Sequence, residues 1–222
     1  MLNERQILDA LKSCCFDHLS ESNCMQLVYD YADEEIFSQD VGTGATKIVL
    51  FPKNSDYVVK IPLEYDNTDY DPRDEDEIED YRFECADEPD GWDYCEVESR
   101  YFCRAEEEGM EFAFLKTELI GHVHGHPIYK QPKAEMVAER ESSHKKSWEE
   151  VDRIADYCAS KHTRCFHAYW IADFIDFYGE EMFDALTDFL DNLAVHDLHE
   201  GNLGYLHGVP VIVDYSDYNE GF

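Results

Sequence analysis

The most chemically informative residues of this chain lie between positions 195 and 216. Asp197 and Asn202 are five positions apart, and Asp214 ends an apolar run that begins at Val209. Carboxylate and amide oxygens can hold a hard cation, and a carboxylate can also accept a proton from a reacting hydroxyl group. An Asp–Asn spacing arises easily by chance, since 51 of the 222 residues are Asp or Glu. The same segment also contains His199, Gly201 and Gly204, so the pattern consists of more than the Asp–Asn spacing.

The order Asp-Leu-His-Glu-Gly-Asn at 197–202, followed by a strand that ends in Asp214, resembles the catalytic loop and metal-binding aspartate of the protein-kinase-like superfamily. This form of the loop is closer to the small-molecule phosphotransferases of that superfamily than to ordinary protein kinases. It is also similar to small kinase-like proteins of bacteria and their phages. The resemblance implies that Asp197 is the catalytic base, that Asn202 and Asp214 bind Mg²⁺, and that ATP is the nucleotide. Transfer of AMP instead of phosphate stays open on the same scaffold.

Further parts that the resemblance requires occur in order between residues 36 and 216. The nucleotide-binding residues that it implies are Gly42, Thr43, Gly44, Lys47 and Lys60. Flexible glycines between two strands let backbone N–H groups approach phosphates, and a lysine held by a glutamate orients the α- and β-phosphates. Lys47 stands where such a loop usually has its third glycine, which is a departure from the family pattern.

Two glutamates on the helix predicted at 94–109 compete for the role of partner to Lys60. Helical spacing places Glu98 within the apolar stripe, whereas Glu96 shares its side of the helix with Arg100. A buried carboxylate needs a partner, and Lys60 is the obvious one. We therefore predict that Glu98 pairs with Lys60 in the catalytic site, with Glu96 as the reserve.

The elements that must position these residues form a strand-rich first half with one embedded helix and a helical second half that carries a small hairpin. The predicted segments are a helix at 4–19, three strands within 36–63, a helix at 94–109, two strands within 112–131 joined at His124–Gly125, helices near 148–158, 167–178 and 180–195, and a hairpin at 202–214. With the resemblance, this order predicts an α+β, protein-kinase-like bilobal fold. Its N-lobe is an antiparallel sheet with one αC-type helix, and its C-lobe is mostly helical.

The predicted domains are an N-terminal helical extension at 1–35, a kinase-like N-lobe at 36–131 with an acidic insertion at 64–93, and a C-lobe at 132–222. Eight residues follow Asp214, so we expect a truncated C-lobe without the activation segment and peptide-binding helices of a full protein kinase. Position 196 is His where the family loop has Arg, so control by a phosphorylated activation loop is not expected.

Composition excludes several classes of function. The net charge of −33 repels phosphate backbones and anionic membrane surfaces, so we expect no nucleic-acid binding through a basic face and no membrane partner. No apolar run approaches the roughly 20 residues that span a bilayer, and the first residues lack the apolar core of a signal peptide, so we expect a cytoplasmic protein. The eight cysteines contain no C-x-x-C pair, which favours buried thiols over a disulfide framework.

Three classes of function stay open. The first is an ATP- and Mg²⁺-dependent phosphotransferase that acts on an unknown hydroxyl acceptor. The second is a pseudokinase-type nucleotide-binding module, which the missing substrate-binding helices favour. The third is an acidic mimic of nucleic acid that blocks a DNA-binding protein, which the net charge suggests.

Two other segments have alternative interpretations. Residues 64–93 contain fifteen acidic side chains and two arginines, which predicts a solvated loop, with a binding arm for a basic protein partner as the alternative. The alternating His122, His124 and His126 could share a face of a strand and bind zinc. Because His124–Gly125 is typical of a hairpin turn, we favour solvated turn histidines.

Overall fold

The computed structural model has an α+β fold with antiparallel sheets. It describes residues 3–13, 35–43, 46–63, 94–137, 147–159, 167–193, 195 and 198–216. Within these ranges, five α-helices accompany one five-stranded and one three-stranded sheet. The described residues form two compact units, of which the first contains those up to 96 together with 118–130, and the second contains 97–117 and 131–216. The mixed α+β class expected from the sequence is therefore confirmed.

The first unit is built on the five-stranded sheet, whose strand order is β1-β2-β3-β5-β4. The strands are β1 (Phe37–Thr43), β2 (Lys47–Pro52), β3 (Tyr57–Pro62), β4 (Glu118–Val123) and β5 (His126–Pro132). The turn after β2 includes Asn54 at φ 57°, and β4 is joined to β5 by His124 at φ 52° and Gly125 at φ 91°. Two successive residues of positive φ suit the twist of a tight hairpin, which explains the turn at His124–Gly125. The strands predicted within 36–63 and this turn are confirmed.

Helix α1 (Glu4–Leu11) belongs to the first unit and completes its core. Asn3 and Gln6 form a capping box, in which each side chain accepts a hydrogen bond from the backbone N–H of the other. The core joins Ile7 and Leu11 to strand residues, which are Phe37, Ile48, Leu50, Val59, Ile61, Leu63, Val123 and Ile128. The helix is shorter than the predicted 4–19, because Lys12 N–H already bonds back to Asp9 O in a turn. Residues 14–34 lie outside the described part.

The second unit contains most of the helices and the smaller sheet. Its elements are α2 (Tyr94–Glu108, of which the first three residues fall in the first unit), a 3₁₀ turn (Glu111–Ala113), α3 (Trp148–Ala159), α4 (Ala168–Tyr178), α5 (Glu180–Asn192), β6 (Glu135–Met136), β7 (Leu203–Leu206) and β8 (Val209–Ile212). Helix α2 covers the predicted segment 94–109 except for its last residue, and it ends before Gly109, which has φ 74°. A capping box begins α3, since Ser147 Oγ accepts from Glu150 N–H and the Glu150 carboxylate accepts from Ser147 N–H.

Trp170 ties the helices of the second unit to the β7–β8 hairpin. Its side chain is fully buried, and its Nε1 donates to Gly204 O at 3.1 Å and to Val211 O at 3.3 Å. The surrounding core is aromatic and aliphatic, with Phe102, Phe114, Phe174, Phe183, Leu186, Phe189, Leu190, Leu203 and Ile212 among its members. These two hydrogen bonds fix the middle of the hairpin. Asn202 and Asp214 lie at its open end.

The predicted acidic insertion at 64–93 lies outside the described residues, and so do Gly44 and Asp197. Over the described ranges, no helix combines the length and the apolar character that crossing a bilayer requires.

Candidate functional site

Two lysines lie on the face of the large sheet that is turned away from the α1 core. Gly42 pairs with Val49, and Val49 pairs with Lys60, so these three residues form one row across β1, β2 and β3. Residues paired across strands point to the same face of a sheet. Lys47 is two positions from Val49 and pairs with Pro62, which makes it a diagonal neighbour of Lys60 on that face. Such neighbours are about 7–8 Å apart.

We call this surface the lysine face and define it by Gly42, Lys47, Val49, Val58, Lys60 and Tyr129. Its residues alternate with members of the α1 core such as Ile48, Val59 and Ile128. Only 2% of Lys47 and 2% of Lys60 is exposed, and Val58 and Tyr129 are also buried. Two ammonium groups therefore lie beside an apolar strip on one face of the first unit.

The sequence-predicted loop residues are only partly described. A Cβ atom on Gly42 would lie 3.2 Å from Val49 Cβ, so glycine keeps the row across the strands uncrowded. Thr43 pairs with Ile48 at the end of β1, and Gly44 lies outside the described residues. The structure thus brings Gly42, Lys47 and Lys60 to one face.

The β7–β8 hairpin sets Asn202 beside Asp214 in the second unit. Asn202 O accepts two backbone hydrogen bonds, from Val213 N at 2.8 Å and from Asp214 N at 3.3 Å. Both residues lie at the open end of the hairpin, opposite the turn at His207–Gly208. Ser216 Oγ donates to Asp214 Oδ1 at 3.1 Å and so orients the carboxylate. An amide and a carboxylate therefore start from adjacent positions of the backbone.

The loop before β7 is held by its own residues. Gly201 N–H donates to His199 Nδ1 at 2.9 Å, and Asn202 N–H donates to His199 O at 2.9 Å. A Cβ atom on Gly201 would lie 2.7 Å from His199 Cε1, so the observed position of the His199 ring requires a glycine at 201. Leu198 is buried and anchors the start of the described loop. Asp197, the predicted catalytic base, lies outside the described residues.

Glu98 is the buried glutamate of α2, as the helical stripe predicts, and Glu96 is exposed. Thr117 Oγ1 donates to Glu98 Oε2 at 2.5 Å. Gln131 Nε2 donates in turn to Thr117 Oγ1 at 3.0 Å and to Val213 O at 2.9 Å. A chain of hydrogen bonds therefore leads from the helix glutamate to the peptide just before Asp214.

Tyr215 adds a buried hydroxyl to the same region. Its OH donates to Leu115 O at 2.7 Å. Burial raises the pKa of Tyr215 well above its ordinary value, and the negative charges of Glu98 and Asp214 raise it further. Tyr215 therefore stays a neutral hydrogen-bond donor at physiological pH.

Sequence reasoning missed Thr117 and Gln131. Both are fully or almost fully buried polar residues, with exposures of 2% and 0%. The available signal was their position, since Thr117 follows the apolar run 112–115 and Gln131 follows Ile128 and Tyr129 in a buried strand. A polar side chain in such a context must find an internal partner.

The chemistry of the donor set bears on which metal could bind. The amide of Asn202 and the carboxylate of Asp214 are hard oxygen ligands, which suit Mg²⁺. Among the described residues, no group of three or more His, Cys, Asp or Glu side chains could hold a metal ion. His122 and His124 are exposed, and His124 Nε2 lies 2.8 Å from Lys12 O at the hairpin turn.

Comparison with known proteins identifies no relative, since no protein-family model matches the chain and no curated protein matches it. The functional interpretation therefore depends on the residues and contacts described above.

Proposed function

We propose that this protein is an ATP- and Mg²⁺-dependent phosphotransferase of protein-kinase-like fold that acts on a hydroxyl acceptor. The observation that carries the proposal is the lysine face, where Lys47 and Lys60 are diagonal neighbours beside Val49, Val58 and Tyr129. A polyphosphate carries the charge that complements two ammonium groups, and an apolar strip suits the flat face of a nucleoside base.

The order of the elements supports the same proposal. Along the chain come a hairpin with Gly42, a strand with Lys60, a helix with the buried Glu98, a two-strand hairpin, and a helical half that ends in Asn202 and Asp214 on one β-hairpin. The resemblance to kinase-like phosphotransferases requires each of these parts in this order.

The proposed reaction assigns one role to each group. Lys47 and Lys60 are assigned to the phosphates, and Glu98 is assigned the role that the resemblance implies, that of partner to Lys60. Asn202 and Asp214 hold Mg²⁺, which neutralises phosphate charge when it is bound. The acceptor oxygen forms a bond to the γ-phosphorus, the bond to the bridging oxygen of ADP breaks, and Asp197 takes the proton of the acceptor hydroxyl.

The net charge of −33 does not prevent nucleotide binding. At physiological ionic strength, charges more than about 8 Å apart on the surface are largely screened from one another. Acidic groups farther away than this therefore contribute little at the lysine face, whereas the acidic surface slows the approach of ATP at low salt.

The test is thermal unfolding with and without MgATP. Ligand at one hundred times its Kd stabilises a protein by about 2.7 kcal/mol, which for a chain of this size raises the unfolding midpoint by about 5–10 °C. We expect this rise in the wild type, and we expect Lys47→Met, Lys60→Met and Asp214→Asn each to lose most of it.

The matched control is Lys130→Met. Lys130 belongs to the same sheet but lies on the α1 side, where its Nζ bonds to Glu4 Oε1 at 2.6 Å. This variant loses the same charge and should keep the full shift. The proposal is contradicted if MgATP at millimolar concentration gives no shift, or if the shift survives the three substitutions. Binding of MgATP without release of ADP under any condition would instead identify a pseudokinase-type binding module.

A further inference from the structure

A row of polar contacts crosses the apolar interior of the second unit at residues 115–117. Ser99 Oγ donates to Thr117 O at 2.7 Å, and Tyr215 OH donates to Leu115 O at 2.7 Å. Leu115 N–H also donates to Ile212 O at 3.0 Å. Residues 115–117 therefore connect helix α2 to the end of β8 and to the residue that follows Asp214.

The direction of the hydrogen bonds through Thr117 is determined by the chemistry of its neighbours. A carboxylate only accepts hydrogen bonds, so the single hydroxyl proton of Thr117 goes to Glu98. The hydroxyl oxygen must then accept from the amide of Gln131. The other two neighbours of Gln131 Nε2, Val213 O at 2.9 Å and Leu115 O at 3.3 Å, are also acceptors. The amide therefore acts as a donor, and its orientation is unambiguous.

In this orientation the side-chain oxygen of Gln131 is unsatisfied within the described part of the chain. Its side chain is fully buried, and its Oε1 accepts no hydrogen bond from any described residue. An unsatisfied buried acceptor is unfavourable, and a methionine of similar size would avoid it. The amide is therefore better explained by what its Nε2 donates to than by the packing of the core.

We propose that Thr117 and Gln131 are positioning residues, which hold the Glu98 carboxylate in a fixed relation to the peptide that precedes Asp214. The hydrogen bonds of Thr117 and Gln131 do not depend on any function. Their catalytic consequence rests on the proposed phosphotransferase function. In that function, Gln131 couples the residue that orients Lys60 to a residue that binds the metal. Loss of either donor lets the Glu98 carboxylate reorient, which lowers turnover without removing any group that touches the nucleotide.

The first experiment compares two substitutions at Thr117. Thr117→Val keeps the shape and removes the hydroxyl, whereas Thr117→Ser keeps the hydroxyl. We measure ADP release at saturating MgATP. A hydrogen bond to a charged group corresponds to about a 10- to 100-fold change in an equilibrium or rate. We therefore expect a loss of about that size in Thr117→Val, and restoration to within about twofold of the wild type in Thr117→Ser. In Gln131→Met we expect a smaller loss of about 3- to 10-fold, because its amide donates only to neutral oxygens.

The matched control is Ser99→Ala. It removes a hydrogen bond of the same helix to the backbone of Thr117 but leaves both hydrogen bonds of the Thr117 hydroxyl in place. It should lower the midpoint of thermal unfolding while ADP release stays within about twofold of the wild type. Equal losses of ADP release in Ser99→Ala and Thr117→Val would show that the segment acts only as part of the core, and would overturn the proposal.

A second readout does not depend on ATP. With ¹³C-labelled glutamate, the carboxyl resonance of Glu98 should shift in Thr117→Val and in Gln131→Met, and should stay in place in Ser99→Ala. An unshifted resonance in both Thr117→Val and Gln131→Met overturns the positioning role. If the two variants shift the resonance but the wild-type protein neither binds nor turns over ATP, the result supports the contact and rejects the phosphotransferase function. If Thr117→Val does not fold, the comparison of Gln131→Met with Thr117→Ser carries the test.

Discussion

Replacing Tyr215 by phenylalanine removes one hydroxyl group from the interior of the second unit. At pH 7.5 the variant loses the hydrogen bond from the Tyr215 hydroxyl to Leu115 O, which is 2.7 Å long. Leu115 O keeps a shared donor, because the two N–H groups of Gln131 Nε2, 3.3 Å away, also serve Thr117 Oγ1 and Val213 O. The expected loss in the free energy of unfolding is therefore about 1 kcal/mol, near the mean for one hydrogen bond.

The difference in the free energy of unfolding between the wild type and Tyr215→Phe should change sign at alkaline pH. Burial, together with the charges of Glu98 and Asp214, raises the pKa of Tyr215 in the folded protein above the ordinary value of 10.0. Above that pH the unfolded chain releases the phenolic proton while the folded protein keeps it. The stability that neutral Tyr215 contributes is complete below pH 10 and falls above it by up to about 1.4 kcal/mol per pH unit. Phenylalanine has no such proton, so the advantage of the wild type disappears about one unit above pH 10.

The assay is urea unfolding followed by tryptophan fluorescence between pH 7.5 and 11.5. Tyr101→Phe serves as the control, because it also removes a hydroxyl bond to a backbone carbonyl, to Leu193 O at 3.3 Å. The other tyrosines titrate in the wild type and in Tyr215→Phe alike and cancel in the difference. A wild-type advantage over Tyr215→Phe that stays constant up to pH 11.5 would refute the buried, neutral hydroxyl and its place beside the two carboxylates.

Three further substitutions test the local structure. Gly204→Ala places a Cβ atom 2.9 Å from Glu135 O, so overpacking between β6 and β7 should cost about 1–3 kcal/mol in urea unfolding; an unchanged unfolding curve would contradict this packing. Ser147→Ala removes the N-terminal cap of α3 and should cost about 1 kcal/mol, measured by the same method, whereas a loss below the error of the method would contradict the cap. Lys130→Met removes a partly exposed ion pair with Glu4 and should cost less than about 1 kcal/mol, with the difference shrinking at 1 M salt; a larger or salt-independent loss would contradict the surface position.

Much of the secondary structure could be predicted because its signals are local. Short runs rich in β-branched residues, with Ile48–Val49 in one and Val58–Val59 in the other, predict β2 and β3. The pair His124–Gly125 predicts the turn between β4 and β5. The helical stripe separates the buried Glu98 from the exposed Glu96, because burial on a helix follows its period of 3.6 residues. The predictions failed where local signals were misleading: α1 ends at Leu11, and residues 111–113 form a 3₁₀ turn in place of the start of a strand.

The candidate site could be predicted only in part. The sequence indicated Asn202 and Asp214 through their spacing, and the hairpin brings their backbones together. The resemblance assigned Lys47 and Lys60 to one nucleotide site, but the sequence did not indicate that Lys47, which replaces a glycine of the family pattern, is buried as a diagonal neighbour of Lys60. That relation depends on the register of β2 against β3, and a shift of one residue would turn Lys47 to the other face of the sheet.

By itself, the amino-acid sequence determined the order of the elements, the strongly acidic surface and the chemistry of the residues near the carboxyl end, because each of these is a property of short segments or of composition. Only the tertiary structure decided that Thr117 and Gln131 link Glu98 to the strand before Asp214. Those hydrogen bonds join residues that are 14, 19 and 82 positions apart. Contacts over such separations depend on strand register and on the packing of distant segments into one core, and no short stretch of sequence encodes them.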